Sequence, residues 1–240
     1  MVCGSKMAHG KIKKDIPPPD ARDSRDNGNR AEPPLDCAFC ARLVDFRNDN
    51  RLNEPAWFNS PVPSFGDPAA RLLIVGLAPG LKGANRTGRP FTGDYAGDLL
   101  YETLHSFGFS RGHYAARPDD GLELVDCMIT NAVRCVPPEN KPTPAEIAAC
   151  RPHLAARIAA LPRVSVILAL GRIAHDQTLA ALGLVRASTP FAHGAIHDLG
   201  DGRRLADSFH CSRYNTSTRR LTPDMFRAVF KSIRAVLDGP

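Results

Sequence analysis

Two groups of residues in this sequence have the types and spacing to do chemistry. The first is thiol-based. Cys37 and Cys40 form a C-x2-C pair, and Cys135 and Cys150 lie far downstream. C-x2-C is a common spacing for two thiolates on one metal or cluster. A zinc ribbon usually repeats that tight pair, but here the second two cysteines are widely separated. One tight pair and two distant singles suit a [4Fe–4S] cube better, with zinc and unliganded thiols left open on spacing alone. Seven cysteines are an odd number for a disulfide framework, so metal is favoured over cross-links. Cys127, inside an apolar run, reads as a small core residue. Cys3 and Cys211 have no obvious partners.

The second group is spread over three polar loops. Gly76-Leu-Ala-Pro-Gly80 is followed by Gly83-Ala-Asn-Arg-Thr-Gly-Arg-Pro-Phe-Thr-Gly-Asp94. This is no phosphate-binding P-loop: the Gly-Lys-Ser/Thr ending is missing and Pro79 offers no N–H. Its small residues still let a ligand come close to the backbone. Phe91 is either a stacking platform or an apolar anchor for the loop. Asn131 closes a strand-like run, and its amide can donate and accept at once. His210 opens a loop of small polar and basic residues. Each has a plain alternative. An Asp after Gly is often a helix cap, an Asn ending a strand often holds a turn, and a lone His is often structural.

The elements that must position these loops alternate along the chain. Leu72-Leu-Ile-Val-Gly76, Asp126 to Asn131, Val164 to Leu170 and Arg203 to Phe209 read as strands. Helical spacing follows from Gly97 to Phe107, after Gly171, and after Thr222-Pro-Asp-Met225. Thr143-Pro-Ala-Glu146 is a capping-box start for a helix that carries Cys150. A short helix is expected around Leu43 to Phe46. Strands alternating with helices predict an α/β fold with an open, mostly parallel sheet covered on both faces. Such sheets bind ligands beyond the carboxyl ends of their strands, where the three loops would converge.

At 240 residues the chain suits one such domain, expected over 34–240 behind a disordered tail over 1–33. No apolar run reaches the ~18–20 residues of a membrane span, and no secretion signal is evident, so the expected location is the cytoplasm. The net charge of +6 is unevenly placed. Between Arg203 and Arg234 eight Lys/Arg face two acids, Asp207 and Asp224. Such a surface suits a phosphate backbone, or is simply a solvated basic helix face.

Taken in order, Gly76-Leu-Ala-Pro-Gly80, Asn85 to Asp94, Thr130-Asn-Ala-Val-Arg-Cys135 and His210-Cys-Ser-Arg-Tyr-Asn-Thr216 closely resemble the iron–sulfur uracil-DNA glycosylases, specifically family 5 (type B). The similarity runs from about Cys37 to the C-terminus. It implies a three-layer α/β/α fold around a four-stranded, mostly parallel sheet. It implies a structural [4Fe–4S] cluster on Cys37, Cys40, Cys135 and Cys150. It also implies excision of uracil flipped out of double-stranded DNA, leaving an abasic site, by a protein expected to be monomeric. Phe91 matches the aromatic that stacks on the extruded base, Asn131 the amide that reads its edge, and His210 the histidine beside the glycosidic bond. Leu77, Ala78 and Pro79 would complete the base pocket. Leu77 stands where the related family 4 has a glutamate, so Asp94 becomes the catalytic carboxylate. Ser212, Arg213, Tyr214, Asn215 and Arg219 fall in the loop expected to contact DNA. The apolar Leu77 and the small Ala78, Gly80, Gly83 and Ala84 imply a roomy pocket that also accepts ethenocytosine and hypoxanthine.

Overall fold

A computed structural model describes residues 31–239. The expected tail and Cys3 lie almost wholly outside that range. Contacts begin earlier than the expected boundary at residue 34: Ala31 is fully buried, and Glu32 pairs with Arg134 and Arg157.

The centre is a six-stranded sheet in the order β1-β5-β2-β6-β8-β7. Its inner four strands, β5 (Cys127–Asn131), β2 (Leu72–Gly76), β6 (Val166–Leu170) and β8 (Arg204–Ser208), are all parallel. These are the four strands the sequence predicts. The four-strand count is nonetheless too low, because two short strands pair antiparallel at the edges. They are β1 (Phe65–Gly66) against β5 and β7 (Ile196–Asp198) against β8. A separate hairpin joins β3 (Ser110–Arg111) to β4 (Glu123–Leu124).

All five residues of β2, β5 and β6 are buried, as parallel strands covered on both faces require. Successive side chains point to opposite faces, and each face has its own core. Leu72, Ile74, Ile129 and Leu168 pack with Leu100, Leu104, Phe226 and Phe230. Those last four lie on α3 (Tyr95–Ser106) and α7 (Pro223–Asp238). Leu73, Val75, Ile167 and Leu205 pack on the other face with Leu154, Ile158 and Leu179. These come from α4 (Pro144–Ala159) and α5 (Arg172–Ala181). Each such side chain contributes about 1.5–3 kcal/mol on full burial.

Caps fix where the helices begin, and so where the loops end. Thr143 accepts from the Glu146 N–H while Glu146 reaches back to the Thr143 N–H, the capping box expected from sequence. Thr222 caps α7 by accepting from the Met225 N–H. The early helix α1 (Ala41–Asn53) is longer than expected, and α2 (Ala84–Thr87) is a single turn inside the first loop. The loop after β8 is not all irregular. Ser212 caps α6 (Arg213–Ser217), a short helix the sequence pattern did not show. Among the described residues no helix is long and apolar enough to cross a membrane.

Candidate active site

The C-terminal ends of β2, β5 and β8 open onto one pocket. Leu77, Ala78, Pro79, Phe91, Asp94, Asn131 and His210 all line it. Every residue predicted for base binding or catalysis is therefore brought together. Ser212 and Arg213 reach its rim, as do Lys82, Tyr95 and Asn140, which sequence reasoning did not single out.

Asn131 is the last residue of β5, and its side chain is buried. Its Oδ1 has no hydrogen-bond partner. Leaving a buried amide oxygen unpaired costs roughly 1–3 kcal/mol, a cost that a water or ligand entering the pocket would relieve. Gly76, opposite it in the ladder, makes the close approach possible. A Cβ there would lie 2.3 Å from Asn131 Oδ1 and 2.7 Å from Phe91 Cζ.

Phe91 has the burial of a loop anchor, within the core on the α3/α7 side, and also a place in the pocket wall. Its ring stacks on His210, with centroids 5.8 Å apart and planes at 28°. Burial lowers the His210 pKa to about 4, so the imidazole is neutral near pH 7 and keeps one N–H to donate.

Asp94 is indeed the N-cap of α3, its Oδ1 accepting from the Gly97 N–H at 3.1 Å. The same carboxylate lines the pocket, so the cap and site readings coincide. Burial is the main cause of a pKa above the usual aspartate value, opposed by the backbone bonds from Gly97 and Ala96. Gly80 and Gly83 clear space for it. A Cβ at Gly83 would fall 2.5 Å from Asp94 Oδ2, and one at Gly80 would fall 3.2 Å away. Their small size therefore accommodates the carboxylate, and the inference of a roomy pocket from these two glycines is revised. Among the described residues, neither the Leu77 N–H nor the Ala78 N–H is used in a hydrogen bond.

Around α6, Arg213 lies over the exposed Tyr95 ring at 5.2 Å, and Tyr214 is 72% exposed. Arg219 is exposed in a left-handed conformation (φ 57°). Asn215 differs from its expected outward role: its Nδ2 donates to the His210 carbonyl at 2.8 Å. It shapes the loop that presents His210.

The four cysteines line a second, smaller pocket between α1 and α4, with Phe39, Leu43 and His153 among its other walls. Arg47 Nη1 lies 3.9 Å from Cys135 Sγ, and the Arg134 N–H donates to Cys150 Sγ. Burial raises the thiol pKa values of Cys40 and Cys150, and takes Cys135 to about 12. The sulfurs do not close into a tight group. Among the described residues, the ligand atoms found together within 4.8 Å belong instead to His175, His197 and Asp207. That trio is explained by hydrogen bonding. His175 faces Asp207 Oδ1 through Nδ1 (2.7 Å) and the Thr189 carbonyl through Nε2 (2.8 Å). Both partners are acceptors, an arrangement that favours the protonated ring, and the His175 pKa is raised. Cys127 is a buried core residue, as expected, and Cys211 is buried with its thiol donating to the Ala96 carbonyl.

Comparison with known proteins agrees with this geometry. The family model of the Uracil DNA glycosylase superfamily matches residues 63–234. The chain belongs to that superfamily. It is 49% identical over 199 residues to the type-5 uracil-DNA glycosylase of Thermus thermophilus, covering 80% of this chain and 90% of that protein. It is 41% identical to the type-5 uracil-DNA glycosylase of Mycobacterium tuberculosis, covering 82% and 77%. A third type-5 relative, from Pyrobaculum aerophilum, is 38% identical, covering 85% and 90%. The superfamily match runs from just before β1 to within α7, so it spans all three loops that line the larger pocket.

Proposed function

We propose that this superfamily member hydrolyses the N-glycosidic bond of uracil flipped out of double-stranded DNA and leaves an abasic site. The observation that carries the reading is the buried, unpaired Asn131 amide, set beside Phe91, Asp94 and His210 in one pocket. An imide edge offers an N–H and a carbonyl, which a side-chain amide can match together. Phe91 supplies a flat apolar wall for the base. Unstacking and unpairing the nucleotide costs a few kcal/mol, offset by these contacts.

As the C1′–N1 bond breaks, its electron pair goes to the base and positive charge grows on the sugar. The N–H groups of Leu77 and Ala78, with neutral His210, are the donors for the departing base. The Asp94 carboxylate faces the developing cation. Water adds to C1′, and the proton it loses ends on the departed base anion, giving neutral uracil and an abasic sugar. Removing one preorganised donor of this kind typically costs ~3–4 kcal/mol of transition-state stabilisation. Ala78 and Ala84 still leave space along the wall, and the Leu77 side chain adds no directional polar group. Excision therefore extends to ethenocytosine and hypoxanthine.

Cys37, Cys40, Cys135 and Cys150 are suited to a [4Fe–4S] cluster with a structural role. They share one largely apolar pocket, where a bound cationic group would offset the cost of burying thiolate charge. Thiolates on one zinc would sit ~3.8 Å apart, given Zn–S bonds of ~2.3 Å in a tetrahedron. A cube gives each thiolate its own iron and so takes thiolates that stand further apart. The exposed Arg213, Tyr214 and Arg219, with Ser212, face the duplex. The protein acts as a monomer on DNA in the cytoplasm.

The test is incubation with a duplex carrying one uracil, followed by hot alkali. Strand cleavage at the uracil position supports the reading. An uncut strand, with binding retained, would reduce the protein to a DNA-binding module.

A further inference from the structure

Phe91 has a backbone that side chains rarely adopt, with φ at +53°. The left-handed region persists for a bulky residue only where its surroundings hold it there. Here Pro90 and Phe91 are gripped from outside the loop, and Thr92 is held by Arg89 within it. The Tyr101 hydroxyl on α3 donates to the Pro90 carbonyl at 2.7 Å. The Tyr114 hydroxyl donates to the Phe91 carbonyl at 3.3 Å. Arg89 Nε donates to Thr92 Oγ1 at 2.7 Å. Gly97 allows the Phe91 carbonyl to approach α3, since a Cβ there would fall 1.9 Å from it.

Arg89 is the keystone of this arrangement, and Asp120 sets its orientation. Its two terminal nitrogens meet the two Asp120 oxygens at 2.8 and 2.7 Å, with the Asp120 side chain fully buried. The guanidinium also lies 5.2 Å from the Phe65 ring centroid, 5.6 Å from that of Tyr101 and 5.8 Å from that of Tyr114. Asp120 is itself fixed by the N–H groups of Ala115 and Leu122. A bidentate fork is planar, so the carboxylate dictates the plane of Arg89 and with it the Nε–Thr92 bond.

We propose that Asp120, acting through Arg89, is a positioning residue that sets the face Phe91 presents to an extruded base. This rests on the reading of Phe91 as the base platform. Asp120 touches neither substrate nor the pocket wall. Its influence passes through the Arg89 fork to Thr92 and on to the strained residue beside it.

The experiment is single-turnover excision of uracil from a duplex by the full chain, comparing the parent, Asp120→Asn, Phe91→Ala and the double variant. Asp120→Asn should lose about tenfold in rate, as small displacements of a positioning group do. In the Phe91→Ala background the same change should cost less than about twofold, the mark of two residues acting through one contact. The melting temperature should fall by the same amount in both backgrounds, which separates positioning from plain stability. Equal fold-losses in the two backgrounds, or an Asp120→Asn rate equal to the parent, would overturn the proposal. An unchanged rate in Phe91→Ala alone would remove the base platform, and the positioning role with it. Should Asp120→Asn not fold, Tyr114→Phe removes only the hydroxyl donated to the Phe91 carbonyl. Its smaller loss of rate must likewise vanish in Phe91→Ala, and a persisting loss would sink the idea.

Discussion

Phe91 and His210 lie against each other in the base pocket, although one follows a loop from β2 and the other leaves β8. The aromatic wall and the neutral imidazole are thus one surface. A change in either ring alters the environment of the other. The relationship explains why His210 is dry enough to resist protonation, and it leads directly to a titration.

Because its pKa is lowered to about 4 by burial, His210 should stay neutral through the range where an ordinary imidazole, at 6.5, takes a proton. Ring resonances followed by NMR should titrate near the lower value. The linkage has a definite sign: stability is full above the unfolded value of 6.5 and is lost as pH falls toward 4. Phe91→Ala should move the His210 pKa upward by opening the ring to water. A His210 titration near 6.5 in the parent protein would contradict the buried setting.

Asn131→Leu separates stability from chemistry. Leucine has nearly the same shape and removes a buried amide that has no partner, so the melting temperature should hold or rise. Excision of uracil should fall by a factor on the order of 10²–10³, the scale for losing one preorganised polar contact. A lower melting temperature with unchanged excision would mean that the amide holds the turn after β5.

Asp94→Asn is the matching test of the carboxylate. Asparagine caps a helix about as well as aspartate, so α3 should keep its start. The charge facing the sugar is lost, and single-turnover excision should slow by at least about tenfold with DNA binding retained. If the rate holds, His210 and the free N–H groups of Leu77 and Ala78 carry the reaction.

For the cysteines, protein purified without oxygen should be brown and contain about four irons per chain. Serine in place of any of Cys37, Cys40, Cys135 or Cys150 should lower iron content and folded yield together. One zinc and no iron would count against the cluster.

A further pH dependence comes from His175. Burial works against its charge, but the hydrogen bond and charge of Asp207 outweigh this, and the pKa is raised. The stabilisation is therefore full below the ordinary value of 6.5 and is lost as pH rises through the higher folded value. His197, also bonded to Asp207, adds a second donor to the same carboxylate. Thermal melts between about pH 5.5 and 8.5 should show this slope, and His175→Gln should flatten it.

Much of this was legible locally. The capping box at Thr143, the four buried strands and the convergence of three loops follow from short-range patterns. The edge strands β1 and β7 were not legible, because two or three residues carry no alternation and their pairing is decided by the neighbouring strand. Helix α6 was hidden by its length and is held by the Ser212 cap. Asp94 illustrates a different limit: cap and pocket roles looked like rivals in sequence and are one geometry in space. Asp120, Tyr101 and Tyr114 went unnoticed because nothing near them in sequence points to Phe91. Asp120 meets Arg89 across 31 residues.

Glu32 has a consequence for where this protein may be shortened. It looks like the last acid of a polar tail, yet it is the counterion of Arg134, whose side chain is 1% exposed and adjoins Cys135. Arg134 also donates to the Ala31 carbonyl, and Arg157 shares the Glu32 carboxylate. A chain trimmed to start at Pro34 would keep Cys37, Cys40, Cys135 and Cys150 and every residue that lines the larger pocket. It would also strand a buried guanidinium without its partner, a fault worth roughly 3–5 kcal/mol in comparable cases. A shortened chain should therefore keep Ala31 and Glu32, whose segment works as a stopper for a positive charge beside the cysteines.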